Sequence, residues 1–315
     1  MTADRRLTLM TVHAHPDDET IGTGGVMAKA VAAGHRVILV TGTRGEQGEI
    51  VVKALDTPDN HRRLGEIRAA ELEAAMGELG VTEWENLGYR DSDMMGRAGN
   101  RDPRSFWQAD LDEAIGRLVW LVRVHRPDVM TIYNSFGGYG HPDHIRSHLV
   151  GVGAWERAGD PTCYSEQLAP EFGGSGPSVA DGGLEPWAPL KLYEQAIPRS
   201  VRERMSEQLR ARGMTSPWAL PEDATPEQRA EFEERMDLML VSDESITTTI
   251  DIRDFVDAKW SAINRHATQM SPEMPFIAIG LDAWRETWAT EAYILRDSRD
   301  VDVRLPETDL FAGLS

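Results

Sequence analysis

Two strand-like runs, each ending in a cluster of histidines and aspartates, constrain this chain more than any other feature. Residues 7–12 are apolar or β-branched and lead into His13-Ala14-His15-Pro16-Asp17-Asp18-Glu19. Residues 129–133 do the same and lead into Tyr139-Gly140-His141-Pro142-Asp143-His144. A short buried run followed by turn residues and a helical pattern marks the carboxyl end of a strand. Taken singly, an Asp ahead of a helix is an ordinary N-cap and His-Pro an ordinary turn. Two such clusters, both at strand ends, read as halves of one site.

The intervening chain alternates strand and helix. Residues 24–33 have helical character and stop at Gly34, a C-cap. Residues 35–41 form a second buried strand and 42–60 a polar loop. Residues 62–79 carry a helical stripe of Leu64, Ile67, Leu72, Ala75, Met76 and Leu79,. A short strand over 84–87, a polar loop over 89–103, a helix over 107–125, a strand over 128–133 and a helix over 145–158 follow. This alternation predicts an α/β fold with a Rossmann-like, doubly wound, mostly parallel sheet. Right-handed crossovers give the strand order 3-2-1-4. Both clusters then flank the switch point between strands 1 and 4, where open α/β sheets bind ligands. Further on, residues 171–183 read as a Gly/Ser/Pro-rich surface loop, 192–196 and 245–250 as strands, and 200–213, 226–240 and 255–266 as helices. With no sharp linker and no repeat, residues 1–315 are expected to form one domain. Residues 1–160 would be its catalytic core and 161–315 the sheet extension and pocket wall.

The formal charge of -19 over 315 residues argues against nucleic acid and anionic membranes as partners. Cys163 is the only cysteine, so no intramolecular disulfide can form, which suits a reducing cytoplasm. Any metal must therefore be held by nitrogen and oxygen. No signal peptide and no membrane-spanning apolar run is expected. The sequence leaves the oligomeric state open, a homo-oligomer included.

A hydrolytic zinc site has three protein ligands and an open position for water. His15 and Asp18, three apart on one turn, can converge on one ion, and His144 is the best-placed third ligand. This set suits Zn2+ and leaves Fe2+ or another divalent ion open. Asp17, beside a ligand but directed elsewhere, is the candidate general base. His141 and Tyr139 are candidates for donors to a developing oxyanion. His13 is expected to support the strand end, and Glu19 to cap or to orient the ligands from behind. The chain has no G-x-S-x-G elbow. Its Gly22-Thr23-Gly24-Gly25 run follows an acidic turn that would repel pyrophosphate. His35, His61, His125 and His148 fall outside both clusters and are assigned surface or core roles.

The paired motifs A-H-P-D-D-E and G-G-Y-G-H-P-D-H resemble those of the LmbE-like (PIG-L) metal-dependent N-deacetylases, and the likeness runs nearly end to end. Arg90-Asp91-Ser92, His266-Ala267-Thr268-Gln269 and the tail from Glu307 to Gly313 resemble the branch containing the mycothiol-pathway deacetylase and the mycothiol conjugate amidase. The resemblance implies zinc on His15, Asp18 and His144, general base catalysis by Asp17, and transition-state stabilisation by His141 and Tyr139. It also implies that Arg63 and Asp91 hold sugar hydroxyls, and that the reaction is hydrolysis of an amide on a glucosamine-type amine. Gly22 departs from the Ser or Lys of the two mycothiol enzymes. It is therefore expected to leave space there, for a different aglycone. The alternative from another class is a non-catalytic sugar-binding module that keeps the fold. Such a module should have lost the ligands or the base, and this chain keeps both. A closed structural metal site is disfavoured because only three ligands can be found.

Overall fold

A computed structural model describes residues 5–169, 184–216, 219–221 and 223–314. The stretch 171–183, expected to be a surface loop, lies outside the described residues. Seven strands form one sheet: β1 (Thr8–His13), β2 (Arg36–Thr43), β3 (Glu83–Tyr89), β4 (Val129–Ile132), β5 (Lys191–Ala196), β6 (Thr248–Asp251) and β7 (Thr290–Ser298). Their order is β3-β2-β1-β4-β5-β7-β6. The expected 3-2-1-4 order is observed, and each pairing from β3 through to β5 is parallel. β7 runs antiparallel to both β5 and β6.

The helices are α1 (Asp18–Gly22), α2 (Gly24–Ala32), α3 (Pro58–Arg62), α4 (Leu64–Leu79), α5 (Leu111–His125), α6 (Gly137–Gly140) and α7 (Pro142–Arg157). In the carboxyl half they are α8 (Arg199–Ala211), α9 (Pro226–Met239), α10 (Val256–Ile263), α11 (Pro275–Ala278) and α12 (Gly280–Thr287). Successive strand residues point to opposite faces, so the sheet has a core on each side. Leu9 and Leu39 pack with α2, α4, α10 and α12 on one face. Met10, Val12, Ile38 and Val40 pack with α5 and α7 on the other. Burial on both faces explains why β1 and β2 read as continuous apolar runs.

Among the expected boundaries that move, two do so for local reasons. The helix expected from 107 begins at Leu111, because Asp110 is its N-cap and accepts the Glu113 N–H at 2.9 Å. The helix expected from 145 begins at Pro142, which takes the first-turn position where its missing N–H costs nothing,. β7 was not anticipated. Its inward positions include Glu291 as well as Tyr293, and a charged residue at a core position breaks the alternation that would reveal a strand.

Candidate metal centre and active site

β1 ends at His13, and the chain turns through Asp17 into α1. Asp17 has φ +111°, a backbone conformation rare for a residue with a side chain. Its N–H donates to Glu19 Oε2 at 2.9 Å, and its carbonyl accepts from Thr20 Oγ1 at 2.7 Å. Its carboxylate lies 3.1 Å from Arg68 Nη2. Arg68 is buried and also donates to the carbonyls of Gly45 and Pro16. Glu19 is fully buried, and its other oxygen meets His266 Nε2 at 3.0 Å. Three side chains from three parts of the chain thus hold the turn. His13, as expected, braces the strand end, with Tyr133 Oη at 3.3 Å and Thr23 Oγ1 at 2.9 Å from its ring nitrogens.

The second cluster follows β4. Gly137 adopts φ +66° against α7, where a Cβ would sit 2.6 Å from that of His144. This close approach brings Tyr139 over the imidazole of His144, ring centroids 4.7 Å apart. His141 is the N-cap of α7, its Nδ1 accepting the Asp143 N–H at 3.1 Å. His144, one turn in, points back towards β1.

The two halves meet in a triangle. His15 Nδ1 and Asp18 Oδ2 are 3.2 Å apart, His144 Nε2 and Asp18 Oδ2 3.2 Å, and His144 Nε2 and His15 Nδ1 3.3 Å. Bonds of about 2.0–2.1 Å at the tetrahedral angle place ligand atoms about 3.3 Å apart. The triangle is therefore the right size for one face of a tetrahedral divalent ion, leaving one position for water or substrate. Two wider groups overlap it: His15, His141 and His144, and His15, Asp91, His141 and Asp143, each with atoms within 4.8 Å of one another. In the second group His15 Nε2 faces Asp143 Oδ2 at 3.1 Å and Asp91 Oδ1 at 3.8 Å.

Electrostatics divide the labour. Burial pushes the Asp17 carboxyl up to about 6, with Arg68 opposing and Asp18 adding to the shift. Burial acts in the same sense on Asp18, but His144 and His15 outweigh it and hold that carboxyl well below its usual range. One aspartate is thus poised to exchange a proton while its neighbour stays charged. Burial, with His15 and His144 alongside, brings His141 down to about 2. A neutral His141 that accepts at Nδ1 carries its proton on Nε2 as a donor. Tyr139 is 37 % exposed, yet its hydroxyl turns inward, 3.5 Å from His144 Nε2. Burial and Asp18 raise its pKa well above the ordinary value, so it remains a neutral donor.

The family profile described as "PIG-L: GlcNAc-PI de-N-acetylase" matches residues 10–155. A relative from Geodermatophilus obscurus, named 1D-myo-inositol 2-acetamido-2-deoxy-alpha-D-glucopyranoside deacetylase, is 41% identical over 100% of this chain and 99% of its own. One of the same name from Streptomyces avermitilis is 43% identical over 99% of this chain and 98% of its own. The chain belongs to the PIG-L family. Among solved structures, N,N'-diacetylchitobiose deacetylase from Pyrococcus horikoshii aligns with TM-score 0.58 and 19% identity over 91% of this chain and 83% of its own. The hydratase GalB from Pseudomonas putida aligns with TM-score 0.53 and 17% identity over 95% of this chain and 99% of its own. Those two likenesses concern the fold alone. A hydratase and a deacetylase on one scaffold illustrate that chemistry lies in the site.

Most residues singled out in the PIG-L motifs meet at the triangle. Arg63 does not: at the N-cap of α4, its side chain is 59% exposed and paired with Glu66 at 3.1 Å. Asp91 is buried beside His15, accepting from the N–H groups of Gln47 and Asp93. Gly22 does not leave empty space, which corrects the expectation of room there. A Cβ on it would lie 2.3 Å from Gln195 Oε1, so a side chain from β5 already fills the place. His35, His61, His125 and His148 have structural partners, for example His148 Nδ1 with the Tyr133 carbonyl at 2.9 Å. Sequence reasoning missed Arg68 and the role of His266. Neither falls in a motif, although His266 stands in a stretch already noted for its family likeness. Among the described residues no helix is long and apolar enough to cross a membrane.

Proposed function

We propose that this enzyme is a zinc-dependent hydrolase that removes the acetyl group from N-acetylglucosamine joined to inositol. The observation that carries the reading is the 3.2–3.3 Å triangle of His15, Asp18 and His144 with the Asp17 carboxylate beside it. The names of its full-length relatives support the choice of sugar and aglycone. A bound divalent ion supplies Lewis acidity to the water and to the amide carbonyl. Asp17 takes a proton from the attacking water as its oxygen bonds to the acyl carbon. His141 Nε2–H and the Tyr139 hydroxyl donate to the oxygen that gains charge. The C–N bond then breaks, the Asp17 proton passes to the leaving nitrogen, and acetate and a free amine result. Asp91, buried beside His15, is assigned to sugar hydroxyls. Asp91 uses one lone pair on each oxygen for Gln47 and Asp93 and retains others,. The all-nitrogen-and-oxygen donor set supports zinc, and the absence of a disulfide partner for Cys163 supports a cytoplasmic setting.

The test is release of free amine from N-acetylglucosaminyl inositol, set against simple N-acetylglucosaminides and a cysteinyl conjugate, with zinc- and iron-loaded protein. Selective turnover of the inositol glycoside by the zinc form is expected. Equal turnover of all three would remove inositol from the reading, and activity confined to the iron form would remove zinc.

A further inference from the structure

We propose that Ser92 is a positioning residue of the metal centre: acting through Asp143, it fixes the tautomer and orientation of His15, so that the loop after β3 sets metal affinity. The proposal rests on the reading of His15, Asp18 and His144 as ligands.

A histidine that offers Nδ1 to an ion must carry its proton on Nε2, and a hydrogen-bond acceptor at Nε2 selects that tautomer. For His15 this acceptor is Asp143 Oδ2, at 3.1 Å. Asp143 is fully buried, and no Lys or Arg among the described residues pairs with it. Its carboxylate is held instead by Ser92, whose N–H donates to Oδ2 at 2.9 Å and whose hydroxyl donates to Oδ1. The direction of that hydroxyl is itself imposed. The Trp107 N–H donates into Ser92 Oγ at 2.9 Å, which leaves the hydroxyl proton to point at Asp143. Asn100 Nδ2 pins the Ser92 carbonyl at 2.6 Å. A continuous buried relay results, from Trp107 N–H through Ser92 and Asp143 to His15, with the ligand atom Nδ1 at its far end.

The relay also has a competitor. Asp91 Oδ1 lies 3.8 Å from the same His15 nitrogen. If the Asp143 carboxylate were free to turn, the imidazole could swing to Asp91 and carry Nδ1 out of the triangle. His15, Asp91, His141 and Asp143 could alternatively be taken for a second ion site. Both oxygens of Asp143 already face protons of Ser92 or His15, and an ion there would have to displace them.

The experiment measures the zinc affinity and stoichiometry of the full chain by competition with a chromogenic chelator, for the wild type and for Ser92→Ala, Ser92→Thr and His144→Ala. Imidazole nitrogen shifts of 15N-histidine-labelled apoprotein, recorded at a pH high enough for the His15 ring to be neutral, report its tautomer independently of activity. Ser92→Ala should weaken zinc about 10–100-fold, as loss of an orienting partner does, while keeping one equivalent. It should also diminish the Nε2–H tautomer of His15, and Ser92→Thr, which keeps the hydroxyl, should restore both. Wild-type affinity and tautomer in Ser92→Ala, in a protein where His144→Ala has lost zinc, would overturn the relay alone. Undiminished affinity in His144→Ala would overturn the ligand reading beneath it. A second zinc equivalent lost in Ser92→Ala would replace the relay with a second ion site.

Discussion

At the scale of single residues, Asp17, the proposed base, shows how a strained turn is held. A positive φ on a residue with a Cβ costs about 1–3 kcal/mol and persists only where neighbours over-determine it. Here Glu19 takes the Asp17 N–H, Arg68 takes its carboxylate, and His266 steadies Glu19. The result is a carboxylate held by Arg68 and raised to about 6 by burial, close to the pH at which a general base works best. Asp17→Asn keeps the shape and removes the proposed base. It should retain its metal by elemental analysis and lose about 10²–10⁴-fold in kcat. Full activity in that variant would point to another base, with Glu46 or Glu49 the next to test. Asp17 itself was legible because it stands inside a dense motif. Its supports were not, since His266 lies 247 residues from Glu19 and nothing local links them.

At the scale of elements, the turn from β4 into α7 matters most. Its glycines allow the chain to lie against α7, so that Tyr139 covers His144 while His141 caps the helix. Gly137 is the tightest point, with φ +66° and a prospective Cβ 2.6 Å from that of His144. Gly137→Ala should therefore cost about 1–3 kcal/mol of stability, by the mechanism of strain at a special backbone conformation. Because the displaced atom belongs to His144, a proposed ligand, metal occupancy should fall as well. Thermal melting with parallel metal analysis checks both, and a stable, fully loaded variant would show that the turn can relax without moving His144. The motif made a turn legible here. It gave no sign that α7 would begin three residues early, because His141 is an unusual N-cap.

At the scale of the molecule, the two halves are tied through the sheet. β5 lies beside β4, and β7 folds back on it. At the opposite end of β5, Lys191 and Glu307 form a fully buried ion pair, with Tyr193 Oη also donating to Glu307. This anchors the tail to a central strand. We propose on this basis that residues 1–315 fold as one unit. Truncating one partner of a buried pair leaves the other charge uncompensated and costs about 3–5 kcal/mol. Glu307→Ala should lower the stability of the whole chain by that amount, and far-UV and near-UV melting curves should stay superimposed. Separate transitions for the two probes would mean that the carboxyl half unfolds on its own.

The sequence by itself determined the alternation of strand and helix, the 3-2-1-4 core and the two clusters at the switch point. Each is written locally, in the period of the apolar residues and in turn chemistry, and right-handed crossover then leaves little freedom in how the strands assemble. Only the tertiary structure decided that β7 returns antiparallel, that Gln195 fills the place beside Gly22, and that Arg63 stays exposed against Glu66. It alone joined Ser92 to Asp143 and His266 to Glu19. Those pairings depend on the route of the chain and on side-chain rotamers over separations of 51 and 247 residues. No periodicity or short motif encodes contacts at that range.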